Sequence, residues 1–382
     1  MDTKQSTYTE DEPKDPKWLA QGHLYPFHSI EGRPGAHASQ IIQGKRKDGV
    51  QTLHAVWFCG TGEGHHDVAI MLVDIFYEID RVLKFPPVEE NDPFEPVKND
   101  LFTYSTPRVI ADMPNRACGN PVPFIDENGR FHLWFAAFYT KESDIPEGEP
   151  QHRRDIFYQY SDDGGNTWTD PVMWSDRPGL WVRNAIVVLD DGTWLFPIND
   201  EETYIPGHDV KWSSRFAFSM DEGKTWEFDD TLYTVDRLPG AERGGMIQPS
   251  VVQLKDGTLY CMNRSHTGYI TEMRSTNRGK TWSTPKNSAV PNPQSNICVI
   301  RRQYSNEATD DLLLIYNPSK KMRTPVSIAR STDGGYTWKK LFDLRKELGE
   351  LSYPCMVETP DGLIHCTYTL HRMGIAHDVF ML

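Results

Sequence analysis

Six apolar runs in this 382-residue chain each open on polar groups, in the segments AHAS, GNPV, RNAI, QPSV, SNIC and YPCM. Those groups are His37, Asn120, Arg183 with Asn184, Gln248, Asn296 and Tyr353. Further along lie GTGEGHHD, NDEE, NRSHTG, NPSKKMR and TLHRMG, which add Glu63, His65, Asp67, Asp200, Glu201, Arg264, Arg323, His371 and Arg372. Carboxylates, imidazoles and a phenol are the groups that move protons or attack carbon. Guanidinium groups hold anions through a planar fork of donors. Gathered at one place, these side chains would bind and process a polar, acidic ligand. The bland alternative is that they satisfy one another around a water-filled channel.

The consecutive His65, His66 and Asp67 invite a metal. Neighbouring residues of a strand point to opposite sides, so the two histidines make a poor chelate unless His37 or Glu201 joins them. The expectation is no metal and no cofactor.

The elements that must position these groups announce themselves as repeats. One octapeptide recurs as SDDGGNTW (161–168), SMDEGKTW (219–226), STNRGKTW (275–282) and STDGGYTW (331–338) at nearly constant spacing, with Asn277 once in place of Asp. Its chemistry is that of a turn: Ser and Asp bond backbone groups, Gly supplies positive φ, and Trp packs. Between the octapeptides, Asp48-Gly49, Asn128-Gly129, Asp191-Gly192, Asp256-Gly257 and Asp361-Gly362 each join two apolar strand-like runs, as hairpins do. A period of this kind marks a propeller with a four-stranded blade per repeat.

The expected fold is therefore all-β, a six-bladed β-propeller of four-stranded antiparallel blades. Its units start near Ala36, Gly119, Val182, Ile247, Ser295 and Ser352. The last unit shows three strands, so HLYPFHSI (23–30) is expected to supply the fourth and close the ring, which removes open edges. Residues 1–22 then form a lead-in and 23–382 a single domain. Segment 84–115 reads as the first blade's outer strand with long loops. The insertion 141–155 reads as overhanging one face, either as a lid or as a contact within a homo-oligomer. In such a fold the starts of first strands and the loops after second strands meet at one end, and the octapeptides lie at the other.

A net charge of −14 without a basic stripe argues against nucleic-acid and anionic-membrane partners. No apolar run reaches the ~20 residues of a membrane helix. The polar start MDTKQSTYTEDEPKDPKW lacks a signal-peptide core, so a cytoplasmic location is expected. The six cysteines show no CxxC pair and read as buried free thiols.

Taken with these motifs, HASQIIQGKRKDGVQTLHAVWFCGTGEGHHDVAI, GNPVPFIDENGRFHLWF, RNAIVVLDDGTWLFPINDE, QPSVVQLKDGTLYCMNRS, PNPQSNI, SYPCMV and YTLHRMGIAH resemble the sialidase (neuraminidase) superfamily. The likeness is strongest to its bacterial and fungal branch of neuraminidase-like proteins with Asp-box repeats, and it covers about residues 36–382. Sialidases hold a sugar carboxylate with three arginines, attack with a tyrosine partnered by a glutamate, and use an aspartate as acid/base. The resemblance implies Arg323 as the third arginine, Arg264 as the second and Tyr353 as the nucleophile, with Arg183 able to complete a trio. Glu63 and Asp67 both fall at the acid/base position. Two departures stand out: Gln248 occupies the glutamate position, and His37 stands where the first arginine motif is missing. Gln248, Asn120, Asn184, Asn296, Arg372, Asp200 and Glu201 would line the pocket. The implied function is exo-glycosidase action on an acidic sugar. A lyase cleaving next to a uronate by Tyr/His-assisted β-elimination and a non-catalytic sugar-binding propeller are the alternatives.

Overall fold

The computed structural model describes the chain apart from residues 1–3, 11–16, 21–31, 85–100, 142–143, 146, 148–153, 206–209, 238–242 and 306–308. It contains six sheets, which fall into two compact units, residues 15–176 with 353–382 and residues 1–14 with 177–352.

The first unit carries three sheets, each a run of antiparallel neighbours. The first is built from Gly35–Lys47, Val50–Gly60 and Ala69–Glu78, with Thr103–Tyr104 and Arg108–Ala111 sharing the outer position. The second is Arg116–Ile125, Phe131–Tyr139, Arg154–Ser161 and Val172–Ser175. The sixth is Leu351–Glu358, Ile364–Leu370, Gly374–Met381 and Lys17–Ala20. The other unit holds the third sheet, whose inner strand is split into Leu180–Val182 and Val187–Val188 before Trp194–Asp200, Ser213–Ser219 and Glu227–Phe228. Its fourth sheet is Met246–Gln253, Leu259–Ser265, Tyr269–Ser275 and Lys286–Pro291. Its fifth is Cys298–Arg301, Leu312–Tyr316, Val326–Ser331 and Thr337–Arg345. The middle strands are buried on both faces, which is why LHAVWFCG, FHLWFAAF and LLLIY read as continuous apolar runs.

The closing strand differs from the expectation. Lys17–Ala20 pairs antiparallel with Gly374–Met381 and completes the sixth sheet, whereas 23–30 lies among residues that are not described. Residues 1–22 are also more than a lead-in. Thr7–Glu10 adds a parallel fifth strand to the fifth sheet, Thr7 opposite Thr337. Tyr8 packs against that sheet's core, its hydroxyl 3.0 Å from that of Tyr316. The Ser6 hydroxyl accepts the Ala289 amide, so this strand also meets the outer strand of the fourth sheet. The insertion 141–155 is largely outside the described residues.

The octapeptides sit where the sequence puts them, between third and fourth strands. In the first, Ser161 Oγ accepts the Gly165 amide and donates to Asp163 Oδ1, which takes the Asn166 and Thr167 amides. Asp221 repeats the pattern, and its bonds to Thr225 push its carboxyl down to about 2. Asn277 serves equally well: its Oδ1 accepts the Thr281 amide and its Nδ2 donates to the Thr281 hydroxyl. Trp282 stacks 4.5 Å from Phe216 of the preceding sheet, tying fourth to third.

The six cysteines carry no disulfide, and five of them are buried. No helix of the described residues is long and apolar enough to cross a membrane.

A buried relay between the first and sixth sheets makes a testable statement about stability. The Tyr104 hydroxyl lies 3.2 Å from His377 Nδ1, and His377 Nε2 lies 3.1 Å from His365 Nδ1. A tyrosine hydroxyl donating to the first ring places each proton so that both imidazoles stay neutral. Burial pushes His365 down to about 3 and holds His377 well below its ordinary value. In the unfolded chain both rings take protons near pH 6.5. The unfolded state thus binds more protons below that pH, and stability falls as pH drops. The expected slope is roughly 1 kcal/mol per pH unit for each ring. Denaturant unfolding between pH 7.5 and 4.5 should show this loss, and His365→Leu should flatten it by one ring's share. An unchanged slope would mean that other groups set the acid sensitivity.

Candidate active-site residues

Residues at the starts of first strands carry a shared backbone feature. Ala38, Asn120, Gln248 and Tyr353 have φ of 57°, 47°, 56° and 51°. Left-handed backbone costs a non-glycine residue roughly 1–2 kcal/mol. The ladder slips at three of these places, between His37 and Gln40, between Gly119 and Val122, and between Ile247 and Ser250. Asn120, Gln248 and Tyr353 each precede a proline, which has no N–H to give the ladder. These are bulges, and bulges re-aim side chains next to functional sites.

In the unit of residues 15–176 with 353–382, His37 and Tyr353 come together. Their ring centroids lie 4.4 Å apart, and His37 and Tyr353 are 3% and 8% exposed. Phe58 closes the other side of His37 edge-on at 5.4 Å. Glu63 forms an exposed ion pair with Arg372, from the loop of the sixth sheet, and the Arg372 carbonyl accepts the Ala36 amide. Asp67 does something else. Its Oδ2 takes both the amide and the hydroxyl of Thr61, at 3.0 and 2.6 Å, which clasps the 61–67 loop. Burial works to raise its proton affinity, but the Thr61 bonds and nearby His65 hold it below the usual carboxylate value. Arg33 fixes the same loop from outside by donating to the carbonyl oxygens of Asp67 and Cys59. Asn120 is half-buried at its bulge.

In the unit of residues 1–14 with 177–352, Arg264 stands opposite Ile247, at the end of its strand. Its Nη1 donates to Gln248 Oε1 at 3.1 Å, and its guanidinium lies 5.1 Å from the Trp212 ring centre. The His266 ring lies against Trp212, tilted by 30° with the centroids 4.0 Å apart. Gln294 Nε2 is 3.4 Å from His266 Nε2, while the Gln294 carbonyl accepts Arg323 Nη2 at 3.1 Å. Arg323 also pairs with Glu350 at 2.8 Å. The expected Arg264 and Arg323 are thereby linked through groups that were not expected: Trp212, His266, Gln294 and Glu350. Their segments, KWSS, NRSHTG and PNPQS, carry no spacing signal that singles these residues out.

Other expected residues of this unit bond backbone and neighbouring side chains. Asn184 Nδ2 bridges the Gln248 and Pro249 carbonyl oxygens at 2.8 and 3.1 Å and ties third sheet to fourth. Asp200 takes the amides of Glu202 and Thr203 and the Thr203 hydroxyl, with Arg215 at 3.7 Å. Glu201 accepts from Asn199. Arg183 and Asn296 are buried at the inner edges of the third and fifth sheets.

Residues 51–366 match the BNR repeat-like domain family. An exo-alpha-sialidase from Aspergillus fumigatus is 27% identical over 231 residues, 56% of this chain and 52% of that protein. A sialidase from Bacteroides fragilis is 23% identical over 291 residues, 69% of this chain and 48% of that one. The chain spans about half the length of these relatives. Among solved structures, a Hadza microbial sialidase superposes with a TM-score of 0.68 at 17% identity, over 95% of this chain and 68% of that one. That likeness gives the fold its class: the six sheets are the blades of a sialidase-type β-propeller.

Proposed function

We propose that this chain, which belongs to the BNR repeat-like domain family, is a sialidase-like exo-glycosidase acting on a carboxylate-bearing sugar. The observation that carries the reading is the linked pair of arginines, Arg264 held by Gln248 and Trp212, and Arg323 held by Gln294 and Glu350. Two guanidinium groups fixed by neighbours can meet a carboxylate without first being ordered, and charge-assisted forks of this kind are the strong ones. Arg183 would join them.

Tyr353 is the proposed nucleophile. Ionised to the phenolate, the form that nearby positive charge favours, its oxygen attacks the anomeric carbon, the glycosidic bond breaks, and the leaving oxygen takes a proton from an acid. Water then displaces the tyrosine from the glycosyl intermediate, with the same group now acting as base. A tyrosine nucleophile departs from the two-carboxylate scheme of most glycosidases. Glu63 is assigned the acid/base role, because Asp67 clasps Thr61 and its lowered proton affinity keeps it ionised, with no proton to give.

A second reading is elimination next to a uronate, with Tyr353 as base and the arginines neutralising the carboxylate. The closeness of the His37 ring to Tyr353, centroid to centroid 4.4 Å, and the presence of Gln248 rather than a glutamate favour it.

One assay separates these readings. The protein is incubated with sialosides and with uronate-containing oligosaccharides, and the products are analysed. Release of saturated reducing sugar supports hydrolysis. An unsaturated product absorbing in the ultraviolet replaces hydrolysis by elimination. Binding with no product on either panel would overturn both and leave a sugar-binding propeller.

A further inference from the structure

The two arginines are not set by independent supports. Arg264 lies over Trp212, Trp212 packs against His266 ring to ring, and the His266 ring nitrogen faces the Gln294 amide. The same Gln294 takes Arg323 on its backbone carbonyl. We infer that Trp212, His266 and Gln294 form one positioning bridge that sets the separation and orientation of Arg264 and Arg323 and so determines the affinity for a single carboxylate. The inference rests on the proposed carboxylate-binding role of those arginines.

Three features show that the bridge is built rather than incidental. Trp212 has a place prepared for it: a Cβ at Gly245 would come 2.7 Å from the Trp212 Cβ, and Gly245 has φ +99°, so only glycine fits there. Backbone bonds lock both members of the ring pair, since the Met246 amide donates to the Trp212 carbonyl and the His266 amide to the Gly245 carbonyl. Gln294 is held at φ 61°, a strained backbone that aims its carbonyl and its side chain at two different partners.

The chemistry of the middle ring fits as well. An amide Nε2 can only donate, so the His266 Nε2 that faces it must be the unprotonated nitrogen. Burial, then Arg264 and Arg243, push His266 down to about 4. A neutral ring next to a guanidinium lets the cation sit over the indole without a competing charge. A cation over an aromatic face is worth about 0.5–2 kcal/mol according to its desolvation.

The test measures binding of free N-acetylneuraminate and glucuronate by calorimetry, together with KM and kcat on whichever substrate the wild type turns over. Trp212→Ala should weaken acid binding about tenfold, the middle of that range, with a matching rise in KM and little change in kcat. Trp212→Phe keeps a ring under Arg264 and should recover most of the affinity. Gln294→Ala, which removes the amide and leaves the carbonyl, should weaken binding in the same direction, and it reports independently if Trp212→Ala fails to fold. Wild-type affinity in folded Trp212→Ala and Gln294→Ala overturns the bridge while leaving the arginine reading intact. A wild-type protein that binds neither acid removes the reading itself, and the bridge with it.

Discussion

Tyr353→Phe is expected to cut kcat on the order of 10³-fold, within the range that positioned proton-transfer and nucleophilic groups supply, while leaving acid binding in place. The substitution removes one oxygen and nothing else. The ring would still lie against His37, at the 4.4 Å seen here, and within the apolar cluster that includes Phe58 and Phe135. The bulge at φ 51° is a property of the backbone before Pro354 and does not depend on the hydroxyl. Stability should therefore change little, and the unfolding transition is the control. A loss of kcat at constant affinity for the acid would place the oxygen in the chemical step. Normal turnover by the phenylalanine variant would remove Tyr353 from the mechanism, whichever product forms.

Arg264→Ala should lower kcat/KM by roughly 10- to 150-fold. That range corresponds to the loss of one hydrogen bond to a charged partner, about 1.5–3 kcal/mol. The effect should appear chiefly in KM and in the binding of the free acid, because carboxylate recognition operates in the ground state as well as in the transition state. Arg264→Lys should not restore it. A lysine carries the charge but not the fork, and it cannot reach Gln248 Oε1 and a carboxylate in the same planar geometry. If the alanine variant lost stability but kept its KM, Arg264 would be a structural partner of Gln248 and the clamp would have to be sought elsewhere.

How far the sequence reaches depends on whether a residue's role is local. The octapeptides were legible because their hydrogen bonding closes within one turn: Ser161, Asp163 and Thr167 satisfy one another inside the motif. The strand starts were legible as polar positions, and the bulges beneath them were signalled by the prolines after Asn120, Gln248 and Tyr353. The closing strand was misplaced because HLYPFHSI is the more apolar segment, whereas Lys17–Ala20 is specified by its register with Gly374–Met381 rather than by its composition. Asp200 looked like a pocket carboxylate, yet Thr203 three residues on already signals an Asx turn. Trp212, His266 and Gln294 were invisible because they come from three separate loops and acquire meaning through a ring contact and a single side-chain hydrogen bond. Sequence spacing has no way to encode such contacts.

The pairing of the N-terminal strands has a consequence for how the chain is made. Thr7 finds its ladder partner at Thr337, and Lys17 finds its partner at Met381. During synthesis both segments leave the ribosome long before those partners and stay without them until the more than three hundred residues between have followed. Contacts so distant in sequence carry a large loop-closure cost before they return anything, which slows folding. The hairpins within each sheet can form as they emerge, but the fifth and sixth sheets gain their outer strands last. An early arrest in translation therefore leaves open sheet edges, and it is at those edges that newly made chains of this protein would first stick to one another.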